Sequence, residues 1–375
     1  MRIAVAKEIR EGEKRVALVP DIINKLTRLG FDVVIESGAG VLSQATDADY
    51  VNAGATISNG EVLSTADAVL SVQPLTPTQI SMLKKGAITI SFMSPVTAVD
   101  SIDAAAAAGV TAFSLELVPR ISRAQSMDAL SSQALCAGYR AALVGAELSP
   151  RFFPMLMTAA GTVTPAQVLV LGAGVAGLQA IATARRLGAV VSAYDVRPAS
   201  ADEVRSMGAT FIQLELEALE GAGGYAREMT EDRAAQQQAL LTPFIAKSHV
   251  VITTAAVPGR QAPRLMTKAM VDSMAPGTII IDLAAETGGN VEGSKPGEII
   301  TTAGGVRIWG GKDVPSQLPF HASFLYSRNV VNLLTLFTTP AKDDDKVAFA
   351  LNFEDEIING AAVTHGGSRR NAGGK

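Results

Sequence analysis

The 375-residue chain has one cysteine, three histidines, one tryptophan and only 18% charged residues. A lone Cys136 excludes an intramolecular disulfide and fits a reducing compartment. His249, His321 and His365 stand apart from one another and from Cys136, so the chain has no zinc-type ligand spacing and no metal is expected. His249 precedes an apolar run and His321 opens a helical stretch, positions that are more often structural than catalytic. Cys136 sits among alanines with no acid or base beside it and reads as a small core residue. A net charge of −4 without a basic cluster argues against a nucleic-acid partner. The N-terminus, with Arg2 and then Lys7, Glu8, Arg10 and Glu11, becomes charged too soon for a secretory signal and reads as a first strand. Phe152 to Ala184 carries no charge at all and exceeds the roughly twenty residues of a membrane helix. Pro154, Pro165 and several glycines would leave its backbone unpaired in lipid, so it reads as buried loop, strand and helix. No segment is expected to insert in a membrane.

What the chain does have is 48% hydrophobic residues and enough length for two cores, with part of the apolar surplus available for contact with other subunits. One stretch organises it. Val168 to Leu171 is a short β-branched strand; Gly172-Ala-Gly174-Val-Ala-Gly177 is a glycine turn; Leu178, Ile181, Ala182 and Arg185 follow at helical spacing; Gly188 stops the helix; and Val190 to Tyr194 leads to Asp195. Such a turn admits close approach of a pyrophosphate to the N–H groups at the helix start. A carboxylate at Asp195 accepts the ribose hydroxyl of NAD and repels the 2′-phosphate of NADP, with Arg197 softening that repulsion. The motif alone is weak; strand, turn, helix, strand and acid together point to NAD(H).

Strand and helix alternate through the rest. Strands are expected at Ile3–Ala6, Asp32–Glu36, Ala68–Val72, Ala87–Phe92 and Val110–Leu115, with helices from Pro20, Pro77 and Thr97 between them. After a long helix over Ser131–Leu148 and the glycine turn come Ser200–Met207, Thr210–Gln213, Gln236–Ala246, Val250–Thr254, Thr278–Leu283, Val306–Gly310 and a helix over His321–Phe337. The pattern predicts an α/β chain of two Rossmann-like domains with parallel sheets, a cleft between them and long linking helices. The domains are placed at 1–130 plus 325–375, and at 131–324. Glu215–Arg233 reads as a long polar surface loop, the stretch after residue 337 as irregular, and Gly366–Lys375 as a mobile tail or a cut linker.

The candidates for chemistry lie on a break in this pattern. Arg120 offers a fork of donors, Gln125 a donor and an acceptor, Asp128 a carboxylate and Ser131 a hydroxyl, a set suited to a nicotinamide carboxamide and its ribose. Asp128 or Ser131 equally fits as the cap of the following helix. Asp282 and Glu286 end a strand, where either a ligand contact or a turn cap is in keeping.

Arg120-Ile-Ser-Arg-Ala-Gln125-Ser-Met-Asp128, Met157-Thr-Ala-Ala-Gly-Thr-Val, the run from Gly174 to Ala184, Ala222-Gly-Gly-Tyr225-Ala-Arg-Glu-Met229 and Thr253-Thr-Ala-Ala-Val-Pro258-Gly together resemble the NAD(H)-binding component of proton-translocating nicotinamide nucleotide transhydrogenase. The resemblance covers essentially the whole chain. It implies that Arg120, Gln125, Asp128 and Ser131 hold the nicotinamide end, with Gln125 near an incoming NADP(H) component. Val175 and Asp195 match positions along the adenosine and pyrophosphate half, and Gly172, Gly174, Ala176, Gly177, Val196, Arg197, Thr254, Ala255 and Ala256 are taken as further cofactor-binding residues. Gly224, Tyr225 and Met229 match a mobile loop that closes over the nucleotide.

The same resemblance implies a homodimer, peripheral on the cytoplasmic face of the inner (plasma) membrane, docked to an NADP(H)-binding subunit and a membrane-embedded proton-channel subunit. Hydride then passes directly between nicotinamides, in a transhydrogenase of the Si-specific/Re-specific type that works only with its partners. Such a transfer exchanges no proton with a substrate, so the protein supplies position and electrostatics. The alternative is a relative, alanine dehydrogenase, which shares Lys7-Glu8 and Arg15-Val-Ala-Leu; Arg15 matches its substrate-carboxylate residue. Val72-Gln73-Pro74 stands where that enzyme has a lysine before Glu-Pro, Phe92 stands at its catalytic histidine, and Glu286 stands at the later acid, a set unable to move the protons of an oxidative deamination. A non-catalytic NAD-binding regulatory subunit is the third reading.

Overall fold

The computed structural model describes residues 1–216, 231–257, 259–339 and 347–370. Gly224, Tyr225, Met229 and Pro258 lie outside them. The chain divides into two compact units, Met1–Gln133 with Ser316–Lys375, and Ala134–Pro315.

In the first unit β1 (Arg2–Val5) leads through a long loop to α1 (Pro20–Thr27), then β2 (Asp32–Glu36), α2 (Asp47–Asn52) and β3 (Thr56–Ser58). It continues with β4 (Ala68–Leu70), α3 (Pro77–Ser81), β5 (Ile88–Ser91), α4 (Val99–Ala107), β6 (Thr111–Ser114) and the first residues of α5 (Ala129–Leu148). Pro20 starts α1 with its φ already fixed, and Gly30, at φ 88°, turns the chain out of it. Thr46 and Thr76 cap α2 and α3 through their hydroxyls. The strands pair in parallel in the order β3-β2-β1-β4-β5-β6, and all but the edge strand β3 are largely buried.

The second unit opens with a hairpin, β7 (Leu156–Thr158) and β8 (Gly161–Val163), followed by β9 (Gln167–Leu171), α6 (Val175–Arg186), β10 (Val190–Tyr194), α7 (Ser200–Ser206) and β11 (Thr210–Phe211). Next come α8 (Glu231–Lys247), β12 (Val250–Thr253), α9 (Lys268–Asp272), β13 (Ile279–Asp282), β14 (Ile299–Thr301) and β15 (Arg307–Gly310). The sheet order β11-β10-β9-β12-β13-β15-β14 is parallel except for β14, which pairs antiparallel with β15. Val168, Val170, Ile252, Ile279 and Ile281 pack with Ala180, Ile181 and Ala184 of α6 on one face of it.

The chain then returns to the first unit through α10 (Pro319–Leu336), a small pair β16 (Thr338–Thr339) and β17 (Ala348–Phe349), α11 (Glu356–Ala361), β18 (Ala362–His365) and β19 (Ser368–Arg369). Tyr326, Val330, Leu333 and Leu334 of α10 are fully buried in the core formed with Ile3, Leu70, Ile90 and Phe113.

Three expectations require correction. The segment from Phe152 to Pro165 is no buried loop. The hairpin β7–β8 pairs only with itself, and Phe152, Met155 and Met157 are 61%, 59% and 78% exposed. The stretch after residue 337 is not irregular, because β18 pairs antiparallel with β6 and β19 with β18, giving the first sheet an antiparallel edge on an otherwise parallel array. Finally, α8 begins at Glu231, inside the stretch read as loop. Among the described residues no helix is long and apolar enough to cross a membrane.

Candidate nucleotide site and nicotinamide-loop segment

In the second sheet the winding direction reverses between β9 and β12, the place where open α/β sheets bind ligands. The glycine turn leaves β9 there. Gly172, at φ 101°, makes a bend that a side chain resists. A Cβ on Gly174 would meet nothing within 4 Å, so the protein leaves open space beside this backbone, as an approaching pyrophosphate requires. A Cβ on Gly177 would fall 1.9 Å from the Gly172 carbonyl, which forces a bare backbone where helix meets strand. Gly174 is the cap position of α6, and no side chain caps that helix. Its first-turn N–H groups at Val175, Ala176 and Gly177, with the positive end of the helix dipole, therefore suit an anion. Gly138 of α5 carries no sequence signal of a role here; a Cβ on it would lie 2.0 Å from the Ala176 carbonyl, so α5 supports this helix start by near contact.

The neighbouring strands complete the turn. Thr254, just past β12, donates its backbone N–H to Leu171 and its hydroxyl to the Gly172 carbonyl at 3.1 Å. Ala255 is gripped at both backbone atoms by Asn290: its N–H donates to Oδ1 at 3.0 Å, and Nδ2 donates to its carbonyl at 2.8 Å. Ala256 is exposed beside it. Asn290 is itself held by fully buried Asp282, whose carboxylate also accepts from Thr253 Oγ1, Ala284 N and Val291 N. Asp282 is thus consumed by the loop it organises, and Glu286 accepts from the Asp313 backbone.

Asp195 lies at the end of β10. Its Oδ2 accepts from the Ala173 N–H at 2.7 Å, tying the acid to the glycine turn, and from Arg197 Nη2 at 2.9 Å. Its Oδ1 accepts from Arg197 N and Nε. The Arg197 guanidinium is raised further above its ordinary value by this hydrogen-bonded carboxylate. Val196 between them is partly buried against the lower core with Ala255.

The Arg120–Ser131 segment belongs to the first unit. Ser122–Met127 is a 3-10 turn whose Ala124 and Met127 are buried in the core while Arg120 and Gln125 are exposed. Asp128 is the helix cap of α5: Oδ1 accepts from the Ser131 N–H at 2.8 Å and Oδ2 from the Ser131 hydroxyl at 2.6 Å. The capping reading therefore holds for Asp128, with Ser131 as its partner. Arg123 pairs with Asp355 at 2.7 Å.

The first unit has its own reversal point, between β1 and β4, with no glycine turn. There Glu8 accepts from the Val72 and Gln73 N–H groups, and burial pushes its carboxyl up to about 7. Beside it is a cavity of about 330 Å³ lined in part by Lys7, Glu8, Ser71, Gln73, Pro74 and Gln79. Arg15, 6% exposed, does not open onto a free acceptor site. Nε and Nη2 donate to Glu13 and Nη1 donates to Gln133, with the Phe92 ring 5.9 Å from its carbon. Burial alone would raise the Glu13 carboxyl, but Arg15, Ser316 and Gln73 outweigh it and hold it down to about 2. The chain thus supplies its own carboxylate to Arg15. Phe92 packs on Tyr326, whose hydroxyl donates to the Ser71 carbonyl.

Among the described residues no cluster of histidine, cysteine and acids could hold a metal. His249 Nδ1 accepts from the Gln167 N–H at 3.0 Å, and His365 meets the Thr111 hydroxyl, so both serve the sheets.

Comparison with known proteins adds lineage to this geometry. Residues 4–137 match the model of the alanine dehydrogenase/PNT N-terminal domain and residues 141–372 that of the alanine dehydrogenase/PNT C-terminal domain. The chain is 48% identical to the first part of NAD(P) transhydrogenase subunit alpha of Rhodospirillum rubrum, over 98% of this chain and 97% of the relative. It is 32% identical to alanine dehydrogenase of Mycobacterium tuberculosis, over 79% and 76%. A crystal structure of transhydrogenase from Sinorhizobium meliloti superposes with a TM-score of 0.85 at 44% identity, covering 98% of each chain. Two domain models in tandem, matched across nearly the whole length, make the chain a member of the alanine dehydrogenase/PNT family.

Proposed function

We propose that this chain is the NAD(H)-binding subunit of a proton-translocating transhydrogenase of the Si-specific/Re-specific type. It exchanges hydride directly with NADP(H) on a partner subunit, and a membrane-embedded subunit couples the exchange to proton translocation. The observation that carries this reading is the closed state of Arg15, the residue that matches the substrate-carboxylate arginine of alanine dehydrogenase. Arg15 is closed by Glu13 and Gln133 and Phe92 fills the neighbouring space, while the glycine turn keeps every feature a dinucleotide needs. A protein that binds NAD(H) and keeps this arginine closed fits a reaction whose second substrate is another nucleotide.

In this reading Gly172, Gly174, Val175, Ala176 and Gly177 take the pyrophosphate, Asp195, Val196 and Arg197 the adenosine ribose, and Thr254, Ala255 and Ala256 the path toward the nicotinamide. Gly224, Tyr225 and Met229, outside the described residues, are assigned to the same nucleotide. Arg120, Gln125, Asp128 and Ser131 orient the nicotinamide ring. The bound NAD(H) supplies the hydride chemistry; the chain fixes distance and field and has no proton to move. Asp128, already holding Ser131, keeps two acceptor lone pairs toward the ring's amide and ribose. The exposed Met155, Leu156 and Met157 of the hairpin support a homodimer, since apolar side chains on a self-paired ribbon gain from a second copy. The complex is peripheral on the cytoplasmic face of the inner (plasma) membrane.

The test is to mix the chain with a purified NADP(H)-binding component and follow hydride transfer from NADPH to an NAD analogue. Transfer that needs both proteins is expected. No transfer, together with alanine-dependent reduction of NAD by the chain alone, would transfer the assignment to the dehydrogenase reading.

A further inference from the structure

We infer that Asn329 of α10 is a positioning residue that fixes the reactive segment from Arg120 to Ser131, an inference that rests on the hydride-transfer reading above. The segment is a 3-10 turn followed by a helix cap, held to the core through Ala124, Met127 and Ala129 with Ile121 packed against them, none of which reaches the polar side chains on its outer side. Arg120 and Gln125, which act at its outer side, are exposed. A 3-10 turn has weaker hydrogen-bond geometry than an α-helix and does not hold a side chain in place by itself.

Asn329 supplies what the turn lacks. Its Nδ2 donates to the Ser126 carbonyl at 2.9 Å, the residue after Gln125, and its Oδ1 accepts from the Ser132 hydroxyl at 2.7 Å, the residue after Ser131. One planar carboxamide thus grips the segment on both sides of the Asp128–Ser131 cap. Sliding or rotation of the cap against α10 breaks one bond or the other. The Ser126 carbonyl also accepts from Asn332 Nδ2 at 3.1 Å, and Asn332 Oδ1 in turn accepts from Lys25 Nζ. Asn329 is 7% exposed and lies on the helix face that buries Tyr326, Val330 and Leu333. Only a side chain with both a donor and an acceptor serves this bracket; an aspartate has no donor for Ser126 and a leucine has neither group.

The consequence is selective. Nucleotide affinity draws mainly on the glycine turn and Asp195 in the other unit, whereas the rate of transfer depends on how the ring is held, where an error of an ångström costs about 100-fold. Loosening the bracket therefore lowers hydride transfer and spares binding.

The experiment uses the full chain reconstituted with the NADP(H)-binding component, comparing Asn329→Asp, Asn329→Leu and Ser132→Ala with the wild type. NADH affinity is measured by fluorescence titration and hydride transfer by single-turnover kinetics. For the two Asn329 variants transfer is expected to fall about 10- to 100-fold while the NADH dissociation constant changes less than about 3-fold. Ser132→Ala removes one of the two bonds and leaves Asn329 in place, so a variant that folds poorly at position 329 does not close the question; its expected loss is about 3- to 10-fold. In a Gln125→Ala background the Asn329 effect should shrink by more than half, because the side chain being positioned is gone. Unchanged transfer in Ser132→Ala and in a folded Asn329 variant, or a fall in transfer matched by an equal fall in NADH affinity, overturns the inference. A wild-type mixture that transfers no hydride overturns the proposed function instead, and this inference with it.

Discussion

Arg197 closes on Asp195 through its backbone N–H, Nε and Nη2, each at 2.9 Å, while the other side of the same carboxylate holds the Ala173 N–H of the glycine turn. The acid that the sequence assigns to a ribose is thus already hydrogen-bonded through both of its oxygens. Arg197→Ala removes a guanidinium placed beside the ribose and should weaken NADH binding by up to about 10-fold, the worth of one charge-assisted bond. Asp195→Ala frees the guanidinium for a 2′-phosphate and should narrow the preference for NADH over NADPH by about 10-fold or more. Parallel titrations with both nucleotides check this; a ratio that stays constant in both variants would remove Asp195 from cofactor choice.

Two glycines of the turn separate by position. Gly174→Ala meets open space, so its unfolding free energy should stay within about 0.5 kcal/mol of the wild type, as is usual for surface positions, while NADH affinity drops about 10- to 100-fold. Gly177→Ala drives a methyl group against the Gly172 carbonyl and should cost about 1–3 kcal/mol as well as binding. Thermal melts beside titrations distinguish the two; equal destabilisation would mean that the open space at Gly174 is filled by the fold.

The buried pair in the first unit carries stability. Glu13 is 3% exposed, and Arg15→Ala would leave its charge without its main partner, a loss of about 3–5 kcal/mol in urea unfolding. Removing both charges at once, Glu13→Leu with Arg15→Met, should cost much less than Arg15→Ala alone. A double variant no more stable than the single one would show that the network, and not the charge pair, dominates.

Glu8 sets a pH dependence. Its carboxyl moves from the ordinary 4.5 to about 7 on burial, so the folded chain holds the proton more tightly than the unfolded one. Stability from this group is full below about 4.5 and is lost as pH rises through 7, on the order of 1–3 kcal/mol. Glu8→Gln cannot ionise; its stability relative to wild type should therefore increase between pH 5 and pH 8. Denaturation at both pH values measures the difference, and a flat difference would argue that Glu8 stays charged in the fold.

The exposed hairpin predicts the oligomer. Met157→Asp places a charge on the most exposed large apolar side chain of the ribbon and should shift sedimentation from dimer to monomer while leaving the melting curve of the monomer unchanged. Sedimentation identical to that of the wild type would remove the hairpin as a contact between copies and with it the support for the proposed dimer.

Much of this architecture was legible because buried parallel strands write themselves as β-branched runs between glycine and proline stops. Asp32–Glu36 appears with its expected bounds, and the glycine turn sits at the reversal between β9 and β12. Where side chains left the periodic elements, legibility ended. Leu156, Met157 and Val163 look like core from composition, yet a two-stranded ribbon exposes both of its faces. Glu13 and Arg15 carry no sequence sign that they pair with each other, but an extended chain lets residues two apart turn inward together toward Gln133, more than a hundred residues away. Asp282 offered two roles at a strand end, and only its burial with Thr253 and Asn290 decides between them. The bracket by Asn329 joins positions two hundred residues apart and leaves no local signal.

The first sheet is finished by β18, from residues 362–365, and its core by α10, both made after the whole of Ala134–Pro315. On the ribosome the second unit, being continuous, can close its core while the first still waits with β6 as an open edge and with Ile90 and Phe113 uncovered. Nascent chains must therefore carry an incomplete sheet through the synthesis of an entire domain, with a sheet edge that stays unpaired until residues 362–365 emerge.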